Sequence, residues 1–412
     1  LIYFLNYFTM EVFLRQPPQS RFHFQRTIYR IFLAVVSLLT FLIPCLGQEI
    51  GAYKTRASGD FNQVAIWEVW NGSAWESTNQ KPGSTTDIYI DQGHTLRLLG
   101  PESVKSLYLH AGAGAGQKLN LNSFNLDVYG VLAAFSGPAP GQPRGAWNSQ
   151  NWIGNSPNST LTFKGESRVI VDKASWSAQT TQSRFGVIFD PGSGQELTLQ
   201  APFKALSIRV LSGVLYQKND LSSSSSPCYT LSFNTENSIY GSGPFGTFTV
   251  EAGATFRSVC NGLLIHRGGS TPAFLVEVHR DATMLLEGQD PKMEAANFSL
   301  EGTLIFRGNQ GTMNFLSSSL SSSSKPNLVR HLVVDGDADL IMPTNLVLQG
   351  NLLQMGQGGF QLAPTQLTLS GSEDQSLRAQ TLLIGSLILQ KPAGKVSLGA
   401  DLSIYRSLTM VE

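Results

Sequence analysis

His331-Leu332-Val333-Val334 returns as Ser386-Leu387-Ile388-Leu389 at an offset of 55 residues, and Asn345-Leu346-Val347-Leu348-Gln349-Gly350-Asn351-Leu352 returns as Asp401-Leu402-Ser403-Ile404-Tyr405-Arg406-Ser407-Leu408 at an offset of 56. A self-similar run of short apolar strands restricts a chain to stacked architectures, because one such unit cannot bury its own apolar side. The one-residue slip is what a turn absorbs. The interval corresponds to roughly two coils of about 20–30 residues each.

From about residue 100 onward the same texture continues. Segments such as Val104 to Leu109, Phe124 to Leu132, Leu206 to Val210, Gly246 to Val250, Phe274 to Val278 and Thr303 to Phe306 are apolar or alternating, and Gly, Asn, Asp, Ser and Pro separate them. That is the pattern of strands between turns. No interval repeats an amphipathic helix, so parallel strands joined by helical crossovers are excluded. The pattern predicts an all-β chain, a right-handed parallel β-helix over residues 101–412 in which successive coils satisfy each other's backbone groups and stack Leu, Val and Ile into one core. Tandem antiparallel β-sandwich modules are the alternative. Against them stands the lack of Asn-Gly and Asp-Gly pairs where tight hairpins need them. The serine tracts at Ser222 to Ser226 and Ser317 to Ser324 read as loops that leave the core.

The chain has 412 residues, 14% of them charged, with 29 basic against 29 acidic side chains. No basic cluster is present to grip phosphate, so nucleic acid is not an expected partner. At the N-terminus Arg15, Arg21, Arg26 and Arg30 lead into the apolar run Ile31 to Pro44 and then Cys45-Leu46-Gly47. Basic flank, short apolar run and small residue define a secretory signal over residues 1–47, cut after Gly47. The run is shorter than the ~20 residues of a membrane span, so no permanent span is expected after cleavage; an uncleaved anchor is the alternative. Pro44 before Cys45 does not fit a lipid-attachment site. Met10 is the first methionine, so the preceding residues read as upstream of the start. Export brings an oxidising compartment, in which Cys228 and Cys260 either form a disulfide or remain two buried thiols in neighbouring strands.

Residues 48–100 read differently. They carry Tyr53-Lys54-Thr55-Arg56-Ala57-Ser58-Gly59-Asp60-Phe61-Asn62, then Ile66-Trp67-Glu68-Val69-Trp70, Trp75, Pro82-Gly83, Asp87-Ile88-Tyr89-Ile90 and Gly93-His94-Thr95-Leu96. This stretch resembles the opening module of large exported β-helix proteins of bacteria that use the type IX secretion route, and it looks like the start of the G8 domain of extracellular proteins. The resemblance implies a secreted or cell-surface protein with a structural or adhesive role, and it supplies no catalytic residues to carry over. Such proteins end in a sorting module, whereas this chain stops at Met410-Val411-Glu412 within a repeat. The expectation is therefore the N-terminal part of a longer protein. Trp67, Trp70 and Trp75 are expected to cap the first coil and hide its strand edge. A sugar-stacking platform, extended by Trp147, Trp152 and Trp176, is the other reading. His94 reads as a turn residue bonding a neighbouring carbonyl.

Three further groups carry candidate chemistry. In Val276-Glu277-Val278-His279-Arg280-Asp281 the two-residue period puts Glu277 and His279 on the outer strand face and both valines inward. A solvated face explains it, and the sharper reading is the acid–base site of a polysaccharide-active β-helix enzyme, a lyase or a glycoside hydrolase. Asp172 with Lys173, and Arg184 with Asp190, are sparser versions. Asp335, Asp337 and Asp339 alternate and could offer oxygens to Ca²⁺, but a turn between Val334 and Leu340 explains them without metal. No other cofactor is expected. Gly112 to Gly116 is a Gly-rich turn followed by neither the Lys-Ser/Thr pair nor the helix of a phosphate loop. Asn71, Asn158 and Asn297 fit the glycosylation pattern. The function expected is that of a non-catalytic, exported structural or adhesin-like protein whose partners are extracellular polysaccharide or other surface components. Carbohydrate binding without turnover is the remaining alternative.

Overall fold

The computed structural model describes residues 50–110, 117–135, 153–154, 158–165, 185–199, 203–219, 228–229, 231–233, 247–266, 275–289, 291–293, 297–315, 327–361 and 365–411. They contain no α-helix, and the single helical turn is a 3-10 segment at Val64–Ile66. The chain is a parallel β-solenoid of about nine turns.

One coil shows how the sequence makes it. Thr247–Val250, Thr255–Ser258 and Gly262–His266 are three short strands separated by corners, and the next coil places Leu275–Val278, Thr283–Leu286 and Pro291–Met293 on them, each pair parallel. Within Leu275–Val278 the alternation sends Val276 and Val278 inward and leaves Glu277 partly exposed. Each residue therefore pairs with its counterpart one coil away, and the inward members form columns. Leu346, Leu367, Leu387 and Leu408 succeed one another in such a column at steps of 21, 20 and 21 residues. Burying each inward Leu contributes about 1.5–3 kcal/mol relative to leaving it in water. Among the described pairs, only Tyr53–Thr55 with Trp67–Trp70 and Trp67–Trp70 with Trp75–Ser77 are antiparallel, which rules out tandem sandwiches.

The repeat read from the sequence is real in texture and displaced in register. Leu332 stacks on Leu352 and Leu352 on Leu377, whereas Leu387 belongs to the column of Leu367. The 55-residue match thus aligns strands from two different sides of the coil. Both sides carry the same Leu-x-Leu chemistry, so similarity alone cannot distinguish them. Coil length also varies with the corners: the step from Ile208 to Phe248 is 40 residues, an interval that includes Ser222 to Ser226, outside the described residues.

Close coil-to-coil approach fixes some corner residues as glycine. A Cβ on Gly288 would sit 1.8 Å from the Cys260 carbonyl oxygen. Gly213, at φ +60, would meet the Gly192 carbonyl at 2.3 Å. Cys228 and Cys260 form a disulfide with Cα atoms 5.3 Å apart. Beside it the buried Gln217 side chain donates to the Tyr229 and Leu264 carbonyls and accepts from the Ser258 hydroxyl.

At the N-terminal end, Tyr53–Thr55 pairs in parallel with Asp87–Ile90 on one edge and antiparallel with Trp67–Trp70 on the other. Parallel stacking also links Gly59–Asp60, Leu96–Arg97 and Leu119–Asn120. Parallel pairing also joins Asp87–Ile90 to Ser106–His110 across residue 100. In the last coil Leu408 and Met410 are 57% and 75% exposed.

Candidate functional site

The segment from Glu277 to Asp281 is divided among different neighbours. The strand ends at Val278, so His279 lies in the corner beyond it. Glu277 Oε2 accepts from the Thr249 hydroxyl one coil back. His279 Nδ1 lies 2.9 Å from Glu251 Oε2, and the other oxygen of Glu251 takes Arg209. Arg280 turns the opposite way along the stack to Glu373, whose second oxygen holds Arg330 at 2.6 Å. The two guanidinium partners keep the Glu373 carboxyl below the usual carboxylate range. Asp281 is left-handed, with φ +66, and its carbonyl accepts from the Gly253 N–H. Glu277, His279 and Arg280 thus each engage a different neighbour. Asp190 accepts from the Ser212 hydroxyl; Asp172, Lys173 and Arg184 lie outside the described residues.

A second charge ladder follows another corner. Arg257 pairs with Glu287 at 2.7 Å, reaches Glu196 at 3.7 Å and lies over the Tyr216 ring at 4.4 Å. Arg307 continues it, 2.6 Å from Asp335 and 4.0 Å from Glu287. Asp335 is thereby committed to an ion pair. The Asp337 N–H donates to the Gly308 carbonyl. The Asp339 carboxylate accepts from the Gly359 N–H at 2.7 Å and the Gln361 amide at 3.1 Å. Asp335 and Asp339 thus bond to opposite neighbouring coils, and no group of three or more metal-ligating side chains occurs among the described residues.

The tryptophans separate into core and surface. Trp67 is 1% exposed, its indole N–H donates to the Phe61 carbonyl at 2.9 Å, and its ring meets Tyr53 and Phe61 edge-on. It cannot stack a sugar, and the sequence carried the signal: alternation in Trp67-Glu68-Val69-Trp70 puts Trp67 with Val69 on one face and Trp70 on the other. Trp70 and Trp75 lie 5.3 Å apart, and Trp75, Tyr89 and Tyr108 continue as an aromatic row in which the two tyrosines stack at 4.4 Å. Lys54 lies over the Trp75 ring and 3.4 Å from Asp91. Burial pushes His110 and Lys118 below their ordinary values, with the Asp91 charge opposing the shift in both. His94 Nδ1 lies 3.1 Å from the Thr55 carbonyl oxygen. Trp147, Trp152 and Trp176 lie outside the described residues.

An open groove lies elsewhere, on the C-terminal coils. It has a volume of about 950 Å³ and is lined by Gln349, Gln366, Thr368, Ser370, Gln390 and Lys391, with Leu328, Val347 and Pro392 as apolar members. The strands position these groups: Val347 stacks on Thr368, and Ser370 on Gln390, between inward leucines that anchor each strand. Lys391 does not face the groove as a free cation, because its ammonium donates to the Gly371 and Glu373 carbonyls and to Gln375 Oε1. Burial holds it below the ordinary lysine value, against the pull of Asp374. The Ser370 hydroxyl is buried and makes no hydrogen bond. Sequence reasoning missed this site. Its signal was Gln, Ser and Thr at outward positions of consecutive Leu-x-Leu strands, without charge.

Fold and surface together define an extended parallel β-solenoid whose charged groups are tied coil to coil. No family model, curated protein or solved structure matches the chain. Among the described residues no helix is long and apolar enough to cross a membrane.

Proposed function

We propose that the protein is an exported, cell-surface or secreted solenoid with a structural or adhesive role and no turnover of its own. The observation that carries this reading is the use made of its charged side chains. Acid catalysis on a glycan needs a proton donor and a base or nucleophile facing one substrate position. Here Glu251, Glu287 and Asp335 instead hold arginines one coil away, and Glu373 reaches across a coil to Arg330, a pattern that stiffens a stack. Export is supported by the basic and apolar N-terminal segment, by the likeness of residues 51–98 to the opening modules of type IX-secreted and G8-containing proteins, and by a disulfide, which persists in oxidising compartments. The test incubates the purified chain with acidic and neutral polysaccharides and fractionates the producing cells. Surface or medium localisation with no new chain ends is expected. Product formation, or retention in the cytoplasm, overturns the reading.

A further inference from the structure

We propose that the groove on the C-terminal coils binds a neutral, hydroxyl-rich glycan chain laid along the stacking axis. This deepens the adhesive role above and rests on it, since such a ligand is met outside the cell.

The lining chemistry selects the ligand class by elimination. No carboxylate lines the groove, which disfavours a cation, and the one ammonium is turned into protein oxygens, which disfavours a polyanion. The groove is floored by strand faces whose backbone groups are already paired to neighbouring coils, so an extended peptide finds no edge to augment. What remains is a set of neutral donor–acceptor groups. The amides of Gln349, Gln366 and Gln390 each offer both roles, as does the hydroxyl of Thr368. Vicinal sugar hydroxyls have the same dual character. Val347, Leu328 and Pro392 supply apolar surface for the C–H face of a pyranose.

One observation adds to composition. The polar groups recur from coil to coil, as where Ser370 stacks on Gln390, at the strand spacing of about 4.8 Å, so a polymer meets similar contacts at regular intervals along its length. One sugar unit gains little from such contacts; a chain gains from several together.

The test uses the full chain on an array of neutral gluco-, manno-, xylo- and galacto-oligosaccharides beside polygalacturonate, alginate and heparin fragments. Retention of at least one neutral oligomer is expected, stronger with chain length and insensitive to salt. The Gln366→Ala/Gln390→Ala variant should bind about tenfold or more weakly, for the loss of two hydrogen-bonding groups of about 1 kcal/mol each. Thr368→Val, nearly isosteric, should also weaken binding, whereas Trp70→Ala should not. Circular dichroism verifies that each variant keeps its strands. Binding confined to anionic glycans, neutral binding unchanged in both groove variants, or no binding at all overturns the proposal. The last result, in a surface-located chain that releases no product, leaves the structural role standing and removes only the glycan.

Discussion

At the scale of single residues, position relative to the inward columns decides what a side chain does. Trp67 and Trp70 are three residues apart, yet one is sealed against Phe61 and Tyr53 and the other faces outward beside Trp75. Trp67→Ala should cost about 3–5 kcal/mol, read as a lowered urea midpoint, and Trp70→Ala markedly less; equal costs would contradict the assignment. His331 gives a pH-dependent counterpart. It is half-buried, Nδ1 accepts from the Asn351 N–H, and burial with the Arg330 charge holds its pKa below the ordinary value. The unfolded chain therefore takes up the proton first as pH falls below about 6.5. Stability is full above that pH and declines toward the lower folded-state value. His331→Gln should flatten the decline of the urea midpoint between neutral and mildly acidic pH. His110, shifted in the same direction, leaves a residual slope. An unchanged slope in the variant contradicts this role for His331. The inward valines at 276 and 278 and the burial of Trp67 were legible from two-residue alternation. The partners of Glu277, His279, Arg280 and Asp335 were not. An outward residue meets whatever lies at the same height on the neighbouring coil, and that depends on the summed lengths of every corner between them.

Strands and corners carry a different kind of information. Leu-x-Leu strands announced themselves because burial demands apolar residues at alternate positions, but they did not announce which side of the coil they occupy. For that reason the match of residues 331–334 with 386–389 pairs strands that do not stack. Corners hold the register through close approaches such as that of Gly288 to Cys260 and through ion-pair ladders. Exposed pairs of this kind contribute about 0–1 kcal/mol each. The disulfide, with its 32-residue separation, acts more strongly. Replacing Cys228 and Cys260 by alanine should lower stability by about 2–4 kcal/mol, measured by denaturant unfolding under non-reducing conditions. An unchanged midpoint would show that the bond constrains nothing the coils do not already fix.

For the whole molecule, stability is a sum over coils and their interfaces. Deleting residues 346–366, one step of 21 in the Leu346 to Leu367 column, joins equivalent positions and should leave a shorter stack that still unfolds cooperatively. Deleting about half that length sets strands of different sides against each other and should abolish the transition. The neutral groove, lined from four consecutive coils between Leu328 and Gln390, is also a property at this scale. It was illegible in the sequence because its residues become neighbours only once coil length is known. The parallel register of adjacent coils underlies all of these statements, and disulfide trapping tests it most directly. Ser386 and Ser407 stack on one another with hydroxyls 2.9 Å apart, while Gln366 lies two coils from Ser407. Strands about 4.8 Å apart fall within reach of a disulfide, and those separated by twice that do not, the limit being about 7 Å between Cα atoms. Oxidation should therefore close Ser386→Cys/Ser407→Cys rapidly and leave Gln366→Cys/Ser407→Cys open, as read by peptide mapping. Closure of the second pair in preference to the first would contradict the stacked parallel coil.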